Sequence, residues 1–364
     1  MFECTPGSDK TSCNLADTEA DLRDFKYNRA SCSHRGFTVL AKILVTLPTD
    51  AKFREAFLEE LAPVGDVEFL SDVPRNKRSS ELAEADVLIS WKLVDELKPS
   101  EFTAIPNVKL LQFLSAGVDH LPFSKLPPTI RIASNAGAYA EQMAEHAIAM
   151  ILATYKNLLD EHNKLVKGFF DQQSESRRLQ GASCAILGFG GIGKACAQRL
   201  HCFKVKIYAI NTSGKTDERV DFIGTLGDLE YVLRLADMVI VSIPLTKATR
   251  NLIGKRALAW MKDDATIVNV ARGDIINQAA LYRKLKTHPN FHAAIDTWWF
   301  EPSAGEKFRT RYPFLKLPNF LGSPHNSGNV PDAMPVAATY AAKNVKRFLR
   351  NEPMSGIVNR NDYR

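Results

Sequence analysis

Residues 184–200 read CAILGFGGIGKACAQRL. Cys184 to Leu187 form a short apolar run of the kind that makes a buried strand. A G-x-G-x-x-G turn follows, and then a helix-compatible segment. In such a strand–turn–helix unit Gly188 permits a tight turn, Gly190 lets the backbone approach a pyrophosphate, and Gly193 lets the helix pack close to the strand. With Gly191 and Ile192 these residues are the candidate dinucleotide cradle, because free N–H groups at a helix N-terminus favour an anion. The six-residue pattern alone is weak, since glycine turns are common. The strand before it and the helix after it favour the nucleotide reading over a merely structural turn.

Working outward, the same alternation continues in both directions. Downstream come CAIL, KIYAI, MVIVSIP, TIVNV, HAAID and FLGSP, a six-strand series separated by helix-like segments. Upstream, from Thr38, come TVLAKILVTL, VEFL, DVLISW, VKLLQFL and IRIASN. Two such series predict an α/β protein with two doubly wound, mostly parallel sheets. Residues 140–168 carry the longest helical pattern and are expected to form one helix bridging the two parts. The Ala-rich segment after Val330 is expected to be a helix that starts or kinks at Pro335 and returns to the first part, making it discontinuous.

The chain has 364 residues, 45% hydrophobic and 24% charged, with a net charge of +6. That length suggests about two domains. Lys and Arg are dispersed, so the mild positive charge reads as a solvated surface rather than a nucleic-acid footprint. No apolar run is long enough to span a membrane. The six cysteines show no metal-ligand spacing, so no metal site is expected. Residues 1–37 are polar and rich in both charges, unlike a signal or transit peptide. They are expected to be a disordered extension. A cytoplasmic location follows by exclusion.

In doubly wound sheets ligands bind beyond the C-terminal ends of the strands. There the sequence places Ala271 and Arg272 after TIVNV, Asp296 through Glu301 after HAAI, and His325 after FLGSP. Singly each has a bland reading: a surface ion pair, a helix cap, a loop histidine. Together, beside a nucleotide turn, they define a hydride-transfer site. Hydride delivery to a 2-oxo acid leaves charge on the carbonyl oxygen, which a protonated His can neutralise. A carboxylate orients that His and favours its charged form. An Arg holds the substrate carboxylate.

The chain resembles the D-2-hydroxyacid dehydrogenase family, which includes D-lactate, D-glycerate and hydroxypyruvate/glyoxylate reductases. Besides GFGGIG, the resemblance rests on LQFLSAGVDHLP (111–122), SNAGAYAEQMAEHAIAMILA (134–153), ADMVIVSIPLTKATRNLIG (236–254), IVNVARGDIINQAAL (267–281), DTWWFEP (296–302) and SPHNSG (323–328). It implies that Arg272, Glu301 and His325 are the catalytic arginine, carboxylate partner and acid/base histidine. Asp296 would contact the nicotinamide carboxamide. The backbone of Ser115, Ala116, Gly117 and Val118 would hold the substrate carboxylate, and Pro244 would lie in the segment flanking the adenosine. The implied architecture is a Rossmann NAD(P)-binding domain, residues 135–327, inserted into a discontinuous flavodoxin-like substrate domain, residues 38–134 and 328–364. A homodimer through the nucleotide domain is expected, without an appended regulatory domain.

One departure concerns the cofactor. NAD-binding members keep an acid about 20 residues past the glycines for the ribose hydroxyls. Here the strand ends in Asn211, Thr212, Ser213, Gly214 and Lys215. Those donors and the added positive charge predict NADP over NAD. Asn277 and Lys156 stand where many members have Asp and Arg. An extra loop, Gly305 to Lys316, separates Glu301 from His325. Trp91, Tyr139 and Trp298 are candidates to line the cleft, and each is as readily core. Formate or phosphite oxidation is a second enzyme class, and a formate enzyme would carry Gln at position 301. A nucleotide-sensing corepressor of the C-terminal-binding-protein type is the non-enzyme alternative.

Overall fold

Five strands build the first sheet: β1 (Ala41–Val45), β2 (Gly65–Phe69), β3 (Val87–Ser90), β4 (Leu110–Phe113) and β5 (Arg131–Ala133). They pair in the order β2-β1-β3-β4-β5, all parallel. This is the flavodoxin-like order. The computed structural model describes residues 40–303 and 305–363. The expectation of disorder for residues 1–37 falls outside them.

The second sheet has seven strands: β6 (Ser183–Leu187), β7 (Lys206–Ile210), β8 (Phe222–Gly224), β9 (Met238–Val241), β10 (Thr266–Asn269), β11 (His292–Ile295) and β12 (Phe320–Gly322). Their order is β12-β11-β10-β9-β6-β7-β8, again all parallel. This is the Rossmann arrangement with one further strand at the β12 edge. The reversal of strand order falls between β6 and β9, the point where open α/β sheets form their ligand crevice. Edge strand β8 is not among the apolar runs read from the sequence: it holds only two apolar residues, Phe222 and Ile223, before Gly224.

Parallel sheets are covered on both faces, which explains the unbroken apolar runs. In β9, Met238 and Ile240 pack into one core, while Val239 and Val241 pack into the other. In β1, Ile43 and Val45 face helix Ala51–Leu61, and Leu44 faces the opposite core. The period of two thus divides each strand between two cores.

Two helical expectations need correction. Residues 140–168 do not form one helix: Ala140–Tyr155 ends at Lys156, and a second helix runs Leu158–Val166. Asn157 sits between them with φ of 51°, a left-handed conformation that ends a right-handed helix. The longest helix is instead Ala333–Leu349. Pro335 lies in its first turn, where its missing N–H has no partner to lose. This helix does return to the first sheet: Ala337, Ala341 and Val345 pack with Phe57, Val45 and Leu110.

Asn344 fastens the returning helix. Its amide donates to Gln112 Oε1 on β4 (2.8 Å) and to the Ser355 carbonyl (3.0 Å), and its oxygen accepts from the Ser355 N–H (2.9 Å). Beyond it the chain pairs along β5, with Ser134 N–H donating to Gly356 O and Val358 N–H to Ile132 O. Asn344→Ala takes the donor from the fully buried Gln112 Oε1, at about 1–3 kcal/mol, so chemical denaturation should show a loss of about that size. A loss within 0.5 kcal/mol, a typical surface effect, would mean that water replaces the amide there.

Candidate active site

The glycine turn is built as a cradle. Gly188 has φ of 101°, and a Cβ on it would lie 2.6 Å from the Ile243 nitrogen. A Cβ on Gly193 would lie 2.3 Å from Gly188 O, so the helix can sit on the turn only without a side chain. Gly190 precedes helix Gly191–Cys202, and a Cβ there would meet nothing within 4 Å. The turn therefore offers the first N–H groups of a twelve-residue helix to open space. The residues present fit a dinucleotide pyrophosphate. Ile192 and Pro244 are partly to fully exposed around this turn, and Ala271 is buried beside Arg272.

Asn211, at the end of β7, has its side chain engaged within its own loop. Its oxygen accepts from Ser213 N–H (3.1 Å) and Gly214 N–H (2.7 Å), and its amide donates to Lys215 O (2.8 Å). It therefore shapes the loop rather than presenting its donors outward. Thr212, Ser213 and Lys215 are the exposed groups.

Four strand-end loops converge further along the rim. His325, after β12, has φ of 52°, uncommon for a residue with a Cβ and held by its neighbours. Its N–H donates to Asp296 O (2.8 Å). Its Nδ1 lies 2.8 Å from Glu301 Oε2. A carboxylate only accepts, so Nδ1 carries the proton and Nε2 is the nitrogen left for a ligand. The other Glu301 oxygen accepts the Trp298 N–H (3.0 Å). The residues between them turn back on the core, with Phe308 edge-on to Trp298 and Phe314 fully buried. The extra loop thus leaves the Glu–His contact intact.

Burial pushes the Glu301 carboxyl up. The His325 hydrogen bond, the Trp298 N–H and the charges of His325 and Arg272 outweigh it, and the group ends below the usual carboxylate range.

Arg272 follows β10. Its NH1 donates to Ala271 O (2.8 Å), and its Nε donates to Asp119 Oδ1 (3.1 Å) on the loop after β4. A Cβ on Gly117 would lie 1.9 Å from Arg272 NH2. The guanidinium thus lies directly against the Ser115–Gly117 turn, and only glycine permits that approach. Ser115 Oγ closes the turn by donating to Gly117 O (2.9 Å), and Val118 is anchored in the core.

Asp296 is 0% exposed. Its Oδ1 accepts from Ser323 Oγ and from the Asn326 N–H (3.1 Å), and its Oδ2 from the Ser327 N–H (3.2 Å). His146, on helix Ala140–Tyr155, bonds Ser323 Oγ at 2.9 Å and lies 3.7 Å from Asp296. Burial raises the Asp296 carboxyl, but Ser323, His146 and the Ser327 N–H outweigh it and leave it lowered. The carboxylate that the resemblance sets against the nicotinamide carboxamide here ties down the loop carrying His325. Sequence reading marks neither His146 nor Asp119. For His146 the available signal is a histidine at the head of the apolar run AIAMILA.

Of the three aromatic candidates, Trp91 is 38% exposed, with its ring edge-on to Tyr139. Tyr139 and Trp298 are core: the Tyr139 hydroxyl donates to Leu114 O (2.9 Å), and Trp298 Nε1 to Ser323 O (2.8 Å). Asn277 caps helix Gln278–Thr287 by accepting the Ala280 N–H, a structural use of that position. Lys156 donates to Arg177 O (2.7 Å).

A glycine-turn Rossmann sheet, set against a flavodoxin-like sheet with an Arg, a Glu and a His on the shared rim, defines a two-sheet nucleotide-binding oxidoreductase. Residues 148–327 match the model of the D-isomer specific 2-hydroxyacid dehydrogenase, NAD binding domain. A solved glycerate dehydrogenase related protein from Thermoplasma acidophilum is 31% identical, covering 84% of this chain and 99% of that one, with a TM-score of 0.57. The chain belongs to the D-isomer-specific 2-hydroxyacid dehydrogenase family. A glyoxylate reductase of Thermofilum pendens is 29% identical over 79% of this chain and 85% of that protein. A D-3-phosphoglycerate dehydrogenase of Methanocaldococcus jannaschii is 29% identical over 88% of this chain, which spans only 60% of that protein's length. Among the described residues no helix is long and apolar enough to cross a membrane.

The lowered Glu301 carboxyl has a checkable consequence. Its ionised form favours the folded state above the unfolded carboxyl pKa of about 4.3. That contribution is lost as pH falls through the lower folded value. Carboxyl-carbon NMR titration should place Glu301 below the ordinary range, and His325→Ala should move it upward. An unchanged titration in the variant would show that the pair does not set it.

Proposed function

We propose that the protein reduces small 2-oxo acids to D-2-hydroxy acids with NADPH. The carrying observation is the 2.8 Å His325–Glu301 contact on the rim where Arg272 meets the Gly117 turn. Arg272 and the N–H groups of the Ser115–Val118 turn hold the substrate carboxylate, a charge-assisted arrangement. His325 Nε2 hydrogen-bonds the substrate carbonyl oxygen and delivers its proton as charge develops there. Glu301 keeps the ring oriented through its contact with Nδ1. The glycine cradle would hold the cofactor's pyrophosphate, and the cofactor when bound would supply the hydride from its nicotinamide. Residues 38–134 with 328–364 act as the substrate domain and 135–327 as the nucleotide domain, whose approach excludes water.

The preference for NADPH rests on the β7 loop. An acid at position 211 would repel a 2′-phosphate. Asn211 instead orders a turn that exposes Thr212, Ser213 and Lys215.

A panel of 2-oxo acids including glyoxylate, hydroxypyruvate and pyruvate, assayed with both reduced cofactors, tests the reading. His325→Ala should lower kcat/KM by about 10²–10⁴-fold, and Arg272→Ala by about 10²-fold or more. Asn211→Asp keeps the turn's acceptor but adds a charge. It should shift the NADPH:NADH ratio of kcat/KM about tenfold or more toward NADH, the effect of one charged hydrogen bond. Equal kcat/KM for the two cofactors in the parent protein would remove the NADP preference. Inactivity across the panel with intact nucleotide binding would remove the reductase.

The protein also acts as a homodimer in this reading. Helix Leu158–Val166 buries none of its residues, and a nine-residue helix has little stability of its own. Leu158, Leu159, Leu165, Val166, Phe169 and Phe170 are all exposed. A second copy offering the same patch would cover this surface in a two-fold interface. Light scattering should report a dimer, converted to monomer by Leu165→Asp with Phe169→Asp; a monomeric parent protein would sink the idea.

A further inference from the structure

Arg272 is held from both sheets, and the grip leaves a particular edge free. A guanidinium has five N–H donors in a rigid fork. Here Nε is taken by Asp119 (3.1 Å) and one NH1 donor by Ala271 O (2.8 Å). NH2 lies against Gly117. We propose that Asp119 is a positioning residue: by accepting from Nε it holds the Arg272 guanidinium against the Ser115–Gly117 turn, and the donors left unpaired serve a substrate carboxylate. This rests on the reading of Arg272 as the carboxylate clamp.

The setting favours a specific pair over a chance surface contact. Both side chains are partly buried, at 30% and 24% exposure. Asp119 follows a core-anchored Val118 and precedes His120, whose ring packs edge-on to Phe113, so the loop has little freedom. Burial lowers His120, so it is a neutral neighbour, with Asp119 opposing that shift and Arg272 and Lys92 adding to it. Tyr363 stacks on Phe123 at 4.9 Å beside the pair. Its hydroxyl is pushed up to about 12 by burial, with Asp119 and Asp362 adding and Arg272 opposing, so it brings no second anion at neutral pH. The chain end is itself tied to the nucleotide sheet, Lys247 N–H donating to Asp362 O (2.9 Å). Two polar contacts thus join the sheets at this point, and one of them aims Arg272.

The experiment uses the full chain and three proteins: parent, Asp119→Ala and the near-isosteric Asp119→Asn, which keeps an acceptor oxygen. The first readout is the Arg272 Nε–H resonance, assigned by its loss in Arg272→Lys. It should be protected from exchange in the parent, retained in Asp119→Asn and lost in Asp119→Ala. The second is NADPH-dependent reduction of glyoxylate. Asp119→Ala should raise KM about tenfold or more, as expected for losing a hydrogen bond to a charged group. Its kcat and pH profile should stay close to the parent's, and Asp119→Asn should recover most of the KM. An unchanged KM, a loss confined to kcat, or failure of Asp119→Asn to recover would each overturn the proposal. If the parent protein reduces no 2-oxo acid, the functional reading fails, and the Nε–H resonance with binding of oxalate to the NADPH complex decides the role of Asp119.

Discussion

Every pairing in both sheets is parallel. A parallel strand can be followed by another only through a crossover, so every strand enters from one edge and leaves from the other. All the loops that follow strands are therefore delivered to one rim per sheet. This places Gly188, Pro244, Arg272, Asp296 and His325 together, although they span much of the chain. The rim of the first sheet gathers Trp91 and the Ser115–Gly117 turn in the same way. Topology brings the groups together, but it does not aim them. A loop leaving a strand is free to wander by several ångströms, and hydride and proton transfer tolerate much less.

Much of the aiming is done by carboxylates. Asp296 is fully buried and would be costly there without partners. Its partners are the N–H groups of the His325 loop and the Ser323 hydroxyl, so satisfying the charge and fixing the loop are one event. Glu96 does the same on the other rim. It accepts the Ser90 hydroxyl (2.7 Å) and the N–H groups of Trp91 (2.9 Å) and Lys92 (2.6 Å), which sets the loop after β3. The left-handed backbone of His325 is the kind of conformation that survives only where neighbours over-determine it.

Local apolar pattern carries most of the architecture. Eleven of the twelve strands fall in runs read from the sequence, and central ones such as KILV, VLIS and MVIV are unbroken because both faces of a parallel strand are buried. The glycine turn and the rim positions of Arg272, Glu301 and His325 follow from the same pattern, since each lies just beyond such a run. What the pattern misses depends on single residues or on long-range contacts. β8 pairs only three residues. The helix break at Asn157 leaves the apolar spacing on either side undisturbed. Asn211 stands where the sequence shows a missing acid, but the tight turn it organises becomes visible only in space. Asp119 and Arg272 lie 153 residues apart, and nothing in either segment names the other.

The charges around the cleft bear on what can bind there. Arg272 and a protonated His325 offer two positive groups to a ligand. Asp119 and Glu301 each already face one of them. With charges so nearly balanced, net attraction does little to select the ligand, and geometry does more. A neutral aldehyde or ketone would leave the free Arg272 donors without a partner in a partly desolvated site, which is penalised. A carboxylate on the Nε edge would meet Asp119. The ligand best accommodated places one carboxylate on the unpaired donors of Arg272 and a carbonyl oxygen on His325 Nε2. Adjacent carboxylate and carbonyl groups of that kind are the defining pair of a 2-oxo acid, the substrate class proposed for this site.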